Sequence, residues 1–257
     1  MNHSPSSMSP EESPPLLRLA MWSGPRTVAT ALMRSFEARG DTKVVDEPLY
    51  AHYLKVTGVQ HPGFAQVIES GDCDWRRVAR HLTTCEVASG TRVHFQKHMS
   101  QHLLDGMQGT WLDSLTHAFL IREPRAMLHS LHRVWPNPTL ADTGLPQQVA
   151  IFERVCERTG DTPPVLDSSD LLRDPTAILA ATCERLGLPF TEQMLNWPKG
   201  PRATDGPWGS HRYATVRQST GFHAEASRTV DLAPELEPLF ESCQALYEKL
   251  YVHRLVA

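Results

Sequence analysis

The residues best suited to chemistry in this chain are cations and hydroxyls gathered behind a glycine. In SGPRTVAT, residues Ser23, Gly24, Pro25, Arg26, Thr27, Val28, Ala29 and Thr30 follow an apolar run from Leu17 to Trp22. They precede a stretch in which Val28, Leu32, Met33 and Phe36 recur at helical spacing. A strand that feeds a helix through a small Ser/Gly turn aims several backbone N–H groups and the positive end of the helix dipole at one spot, which suits an anion. Arg26 adds a guanidinium there, and Thr27 and Thr30 add hydroxyls, so a phosphate or sulfate is the expected occupant. Taken alone, the stretch also fits an ordinary turn with a solvated arginine.

A second cation follows another apolar run. His117 to Ile121 is almost continuously apolar, as a central parallel strand covered on both faces should be, and it stops at Arg122-Glu123-Pro124. Pro124 suits the first position of a helix, and Ser130 falls about two turns into it, eight residues after Arg122. Proton-transfer groups stand at two further strand ends. Lys43 to Asp46 is a short strand that must leave its sheet at Pro48, so Glu47 sits at an exit end, where open α/β sheets bind ligands. Arg92 to Lys97 alternates as another strand and brings Lys97 and His98 to its end; surface positions for Glu47 and His98 stay open at this stage.

The elements needed to position these groups can be read in order. Helices are expected over Phe64 to Ser70, Trp75 to Val87 with Gly90 as the stop, Met99 to Met107, Gln147 to Arg158, Thr176 to Leu186 and Glu235 to Leu250. Pro164 to Asp167 forms a fifth strand, followed by a capping pattern at Asp170 to Asp174. Trp135 to Pro146 and Trp197 to Gly221 read as irregular loops. The pattern implies an α/β three-layer sandwich around a parallel sheet of about five strands, P-loop NTPase-like in layout, as a single domain over 17–257 behind a disordered, Ser- and Pro-rich tail over 1–16.

Composition excludes several classes. With 257 residues and a net charge of -4, nothing points to nucleic acid as a partner. The five cysteines are scattered and odd in number, which fits free thiols and a cytoplasmic location. No apolar run reaches a membrane span, and the N-terminus lacks the basic and apolar regions of a secretory signal. His94, His98 and His102 have helical spacing, but the strand pattern around Phe95 sends His102 elsewhere, so no metal is expected.

SGPRTVAT after the first strand and FLIREPRAMLHS after the fourth together resemble the two nucleotide-binding segments of the sulfotransferase family. VLDSSDLLRDPTAILAATCERLGLPF resembles that family's late strand and acidic helix start. The resemblance implies 3′-phosphoadenosine 5′-phosphosulfate (PAPS) as donor and 3′,5′-adenosine bisphosphate (PAP) as product, without a metal. It places the 5′-phosphosulfate on residues 23–30 and the 3′-phosphate on Arg122 and Ser130, two positive cradles a nucleoside apart. Sulfuryl transfer needs donors on the equatorial oxygens and a neutralised leaving phosphate, which Arg26 and the loop amides suit. It also needs a base: Glu47 is favoured, supported by Lys97 or His98, with His52 and His61 weaker candidates. The acceptor implied is the hydroxyl, or amine, of a small molecule. Three departures stand out: Val28 replaces a common glycine, Ser168 replaces an aromatic, and DGPWGSHRY only echoes a late basic loop, with Trp208 as a candidate adenine or phosphate contact. A non-catalytic binding protein of the same fold remains an alternative, as does a phosphotransferase, although no Gly-x4-Gly-Lys-Ser/Thr run is present.

Overall fold

The structure is a computed structural model that describes residues 15–223 and 230–256. The expected tail lies, through residue 14, outside the described residues. Five parallel strands form one sheet: β1 (Leu17–Ser23), β2 (Thr42–Asp46), β3 (Val93–Met99), β4 (Thr116–Ile121) and β5 (Val165–Asp167), in the order β2-β3-β1-β4-β5. Because β1 lies between β3 and β4, the loop after β1 is flanked by the ends of both neighbours.

Helices cover both faces. They are α1 (Ala29–Glu37), α2 (Tyr50–Thr57), α3 (Phe64–Ser70), α4 (Trp75–Thr84), α5 (Pro124–His132), α6 (Leu140–Thr143), α7 (Leu145–Thr159), α8 (Ser168–Arg173), α9 (Pro175–Arg185), α10 (Gly209–Arg212), α11 (Ala214–Gln218) and α12 (Glu237–Tyr251). Alternate residues of β1 divide the core between the layers. Leu19 and Met21 pack with Leu32 and Phe36 of α1 and with Leu179 of α9. Ala20 and Trp22 face the other way, toward Leu82 of α4, Phe152 of α7 and Leu250 of α12.

Four expectations change. The helix from Trp75 ends at Thr84, well before Gly90, because the Arg18 guanidinium takes the carbonyls of Leu82 (3.3 Å) and Cys85 (2.7 Å) and so caps its end. The helix expected over Met99 to Met107 is β3's last residue plus one 3₁₀ turn, Ser100–His102, since the Ser100 hydroxyl is tied to Ser23 O and Leu103 is drawn into the core. Trp135 to Pro146 is not all loop: Thr139 and Asp142 form a capping box that starts α6, and α7 begins at Leu145. Trp197 to Gly221 contains α10 and α11.

Candidate active site

The loop after β1 has an unusual backbone. Arg26 (φ 62°) and Val28 (φ 57°) are both left-handed, a conformation that favours glycine and is costly for a β-branched residue. Two hydroxyls fix this turn from within. Thr27 Oγ1 donates to Gly24 O at 2.9 Å, and Ser23 Oγ donates to His98 O at 3.1 Å, so neither of these buried hydroxyl protons points to a ligand. Ser168 braces the loop from below, its hydroxyl lying 3.0 Å from Thr27 O and 2.8 Å from Ile121 O. That bridge uses the small side chain where the resemblance led one to expect an aromatic. No side chain caps α1, whose first turn therefore presents its N–H groups at the loop. Gly24 has no room for a side chain, because a Cβ there would lie 2.5 Å from Thr143 O.

The two cationic strand ends meet. Arg122 Nη1 donates to Arg26 O at 2.6 Å, and Arg26 Nε donates to Ser130 Oγ at 2.9 Å. The long, exposed Arg26 side chain thus reaches from the first expected cradle to the second. Ala29 is buried and Pro25 and Thr30 are half-buried at the same turn. Nearby, Asp167 caps α8 and accepts the Tyr247 hydroxyl at 2.9 Å; burial raises its carboxyl.

Two strands away lies a buried ionic cluster. Lys97 pairs in register with Asp46, and its Nζ is 2.8 Å from Asp46 Oδ1, 2.7 Å from Glu47 Oε1 and 2.9 Å from the Tyr213 hydroxyl. Tyr213 donates to Asp46 Oδ2 at 2.7 Å and receives the Trp208 indole N–H at 3.0 Å. Glu47, at φ 44°, is 5% exposed, so it is not the solvated surface carboxylate its position after a strand also allowed. Its Oε2 is buried and has no hydrogen-bond partner among the described residues. Burial acts to raise the Glu47 carboxyl, but Lys97, His102 and Arg212 together hold it below the usual range. For Asp46 burial prevails over Lys97 and the carboxyl is raised. Burial would likewise lower Lys97, but its two carboxylates hold it well above the ordinary lysine value.

His98 points away from this cluster. It is 1% exposed, stacks on Trp22 with ring centroids 4.4 Å apart, and contacts Gln96 Oε1 at 3.2 Å. Burial first, then the neighbouring histidines, push it down to about 3, so it is neutral. His102 stacks on Tyr50 (4.6 Å) and Tyr53 (4.7 Å). His61 lies 2.8 Å from the Tyr50 hydroxyl, whereas His52 faces Cys73 O at 2.9 Å. Among the described residues no group of three His, Cys, Asp or Glu side chains could hold a metal ion. No described helix is long and apolar enough to cross a membrane.

Sequence reasoning missed Asp46, Tyr50, His102, Arg212 and Tyr213. The signal for two of them was the end of DGPWGSHRY, where Arg212 and Tyr213 reach back from a distant segment; Arg212 bonds the Tyr50 hydroxyl at 3.0 Å. Asp46 and Glu47 line a cavity of about 160 Å³ with Ala51, Val67, Pro207 and Trp208. A larger cavity, about 220 Å³, opens among Leu115, Ile151, Arg154 and Pro164 at the opposite strand ends. Position decides between them, because ligands of open α/β sheets bind at the carboxyl ends of the strands.

The parallel α/β sandwich thus carries a left-handed turn after its central strand, a second arginine at the neighbouring strand end and a buried cluster of Lys97 with two carboxylates. The chain belongs to the sulfotransferase-domain family, whose model matches residues 17–250. Two Arabidopsis thaliana proteins, the branched-chain-amino-acid aminotransferase-like proteins 1 and 2, are 36% and 35% identical over 233 residues, which is 90% of this chain. The chain spans only 41% of the length of either. Among solved structures, the sulfotransferase domain of the Synechococcus PCC 7002 olefin synthase superposes with a TM-score of 0.56 at 19% identity, covering 98% of this chain and all of that domain. A sulfotransferase from Alicyclobacillus acidocaldarius gives 0.50 at 13% identity, over 93% of this chain and 97% of its own. These two likenesses show the shared fold.

Proposed function

We propose that this domain moves a sulfuryl group from PAPS to the hydroxyl, or amine, of a small-molecule acceptor. The observation that carries the reading is the meeting of Arg26, Ser130 and Arg122 at adjoining strand ends beside the uncapped start of α1. The donor supplies an activated sulfuryl group and a leaving bisphosphate. The α1 amides and Arg26 bind the 5′ end, and Arg122 with Ser130 binds the 3′-phosphate. On binding, the Arg26–Ser130 and Arg122–Arg26 hydrogen bonds give way to bonds with ligand oxygens, which keep both guanidiniums satisfied. Glu47 Oε2 takes the acceptor's proton, and Lys97 holds the Glu47 carboxylate in place through its other oxygen. Glu47 is preferred to His98 because it lines the cavity and keeps one carboxylate oxygen without a partner among the described residues, while the His98 ring is stacked in the core. The five free thiols fit a reducing compartment such as the cytoplasm.

Thermal unfolding with added nucleotide tests this. PAP at about 100 times its Kd should stabilise the domain by about 2.7 kcal/mol, with a much smaller effect from ATP and magnesium. No stabilisation by PAP would favour a non-catalytic member of the fold, and a larger effect of ATP with magnesium would favour a phosphotransferase.

A further inference from the structure

Two consecutive carboxylates close on one ammonium, and they are not equivalent. Asp46 ends β2 in register with Lys97, and both of its oxygens are occupied: Oδ1 by Lys97 at 2.8 Å, and Oδ2 by the Tyr213 hydroxyl at 2.7 Å and the Gly206 N–H at 3.4 Å. Glu47 follows in a left-handed turn fixed by its N–H to Lys97 O at 2.9 Å. Its Oε1 also meets Lys97, yet Oε2 is left without a partner among the described residues. A fixed counter-charge needs the first arrangement, and a proton acceptor needs the second.

We propose that Asp46 is a positioning residue that divides the Lys97 charge between two carboxylates and leaves Glu47 Oε2 able to take an acceptor's proton, with Tyr213 holding Asp46 in that role. The inference rests on Glu47 being the base. A buried carboxylate paired alone with a lysine would be a weak base, because the whole ammonium charge stabilises its ionised form. A second carboxylate on the same ammonium draws off part of that stabilisation and repels the first, as the like charge of Glu47 does at Asp46.

The groups facing Glu47 come from every neighbouring element. They are Asp46 from β2, Lys97 from β3, Tyr50 from α2, His61 before α3, His102 after β3, and Arg212 and Tyr213 from the late segment. Burial pushes His102 down to about 3 and His61 to about 4, so both are neutral near pH 7. The cations that act on Glu47 near pH 7 are thus Lys97 and Arg212. Tyr213 adds a constraint on the geometry: it lies in a segment anchored to α1 by Thr204 on Glu37 (2.8 Å) and by the Arg34–Asp205 ion pair. The base is therefore assembled from β2, β3 and a distant segment.

The test reads Glu47 directly and needs no acceptor. In protein carrying ¹³C at the Asp and Glu side-chain carboxyls, the Glu47 resonance is assigned by its loss in Glu47→Gln. It is then titrated in the wild type, Asp46→Asn and Tyr213→Phe. With Asp46 neutralised, Lys97 belongs to Glu47 alone, and the Glu47 midpoint should fall by about one pH unit or more. Tyr213→Phe, which deprives the Asp46 carboxylate of a donor, should move it the same way by less. A midpoint that stays or rises in Asp46→Asn overturns the proposal, as does a wild-type Glu47 that stays ionised down to acid unfolding. If Asp46→Asn does not fold, Tyr213→Phe decides alone: a fall supports the proposal and no change refutes it. Transfer of ³⁵S from labelled PAPS to a small-molecule extract separates this from the underlying assignment. A Glu47→Gln variant that still labels the extract removes Glu47 as the base. Lost labelling with an unmoved Asp46→Asn midpoint removes only the role of Asp46.

Discussion

Replacing Lys97 by methionine should expose the energetics of the buried cluster. The side chains of Lys97, Asp46 and Glu47 are 2%, 1% and 4% exposed, so water cannot take over the lost partner. Removing one member of a buried ion pair costs about 3–5 kcal/mol, because the remaining charge stays desolvated. At about 2–4 °C per kcal/mol for a domain of this size, Tm should fall by roughly 6–20 °C near pH 8. The pH dependence provides the stricter check. In the wild type, Lys97 is raised in the folded state, so its contribution is complete below the unfolded lysine value and is lost only as pH rises through the folded one. In Lys97→Met, burial without the Lys97 ammonium pushes both carboxyls upward, so the folded variant takes up protons more readily than the unfolded chain and gains stability as pH falls. The deficit relative to wild type should therefore narrow between pH 8 and pH 5 in urea unfolding followed by circular dichroism. A deficit under about 1 kcal/mol at pH 8 would contradict the burial argument. A deficit that does not change with pH would contradict the titration argument.

Other perturbations address the donor side. Arg122→Ala should weaken PAP binding about 10–100-fold by calorimetry while changing 5′-AMP binding little, since a charge-assisted fork to the 3′-phosphate is lost; equal losses for both nucleotides would contradict the assignment. Ser168→Ala should cost about 1–3 kcal/mol in urea unfolding, because the one hydroxyl proton that two buried carbonyls, Thr27 O and Ile121 O, share is lost. Val28→Gly should change stability by less than about 1 kcal/mol, since relief of the left-handed valine offsets the lost side chain; a loss above about 2 kcal/mol would show that the loop carries little strain.

Strands β1 and β4 were legible because each is a short apolar run ended by Gly, Pro or a charge. Leu17 to Trp22 and His117 to Ile121 lie within β1 and β4 of the structure, with one further residue each, Ser23 and Thr116. Long-range partners were not legible. Nothing local to Trp75–Val87 says that Arg18, from a different strand, will take the carbonyls that end the helix. The side-chain direction of His98 depends on strand register, which sets it against Trp22 and turns Lys97 to the opposite face, toward Asp46. Tyr213 is the extreme case: 166 residues from Glu47 in sequence, it enters the carboxylate cluster only because the late segment folds back over α1.

Backbone strain links the two halves of the site. Among the described residues, Arg26, Val28 and Glu47 are the non-glycine residues with positive φ, and all three follow the carboxyl ends of strands. Such conformations cost about 1–3 kcal/mol each and persist only where the surroundings over-determine them. Those surroundings are visible in each case. Ser168 and Thr27 hold the loop containing Arg26 and Val28, and the β3 backbone with Lys97 Nζ holds Glu47. A glycine at position 28 would give the same turn without strain, but it would also let the loop relax between ligands. The valine selects one loop geometry, partly packed on the core beside α1, and so fixes where the α1 amides point. On the β2 side, the left-handed turn at Glu47 does the equivalent for a carboxylate: it brings two successive side chains, which a regular strand would send to opposite faces, onto the same ammonium.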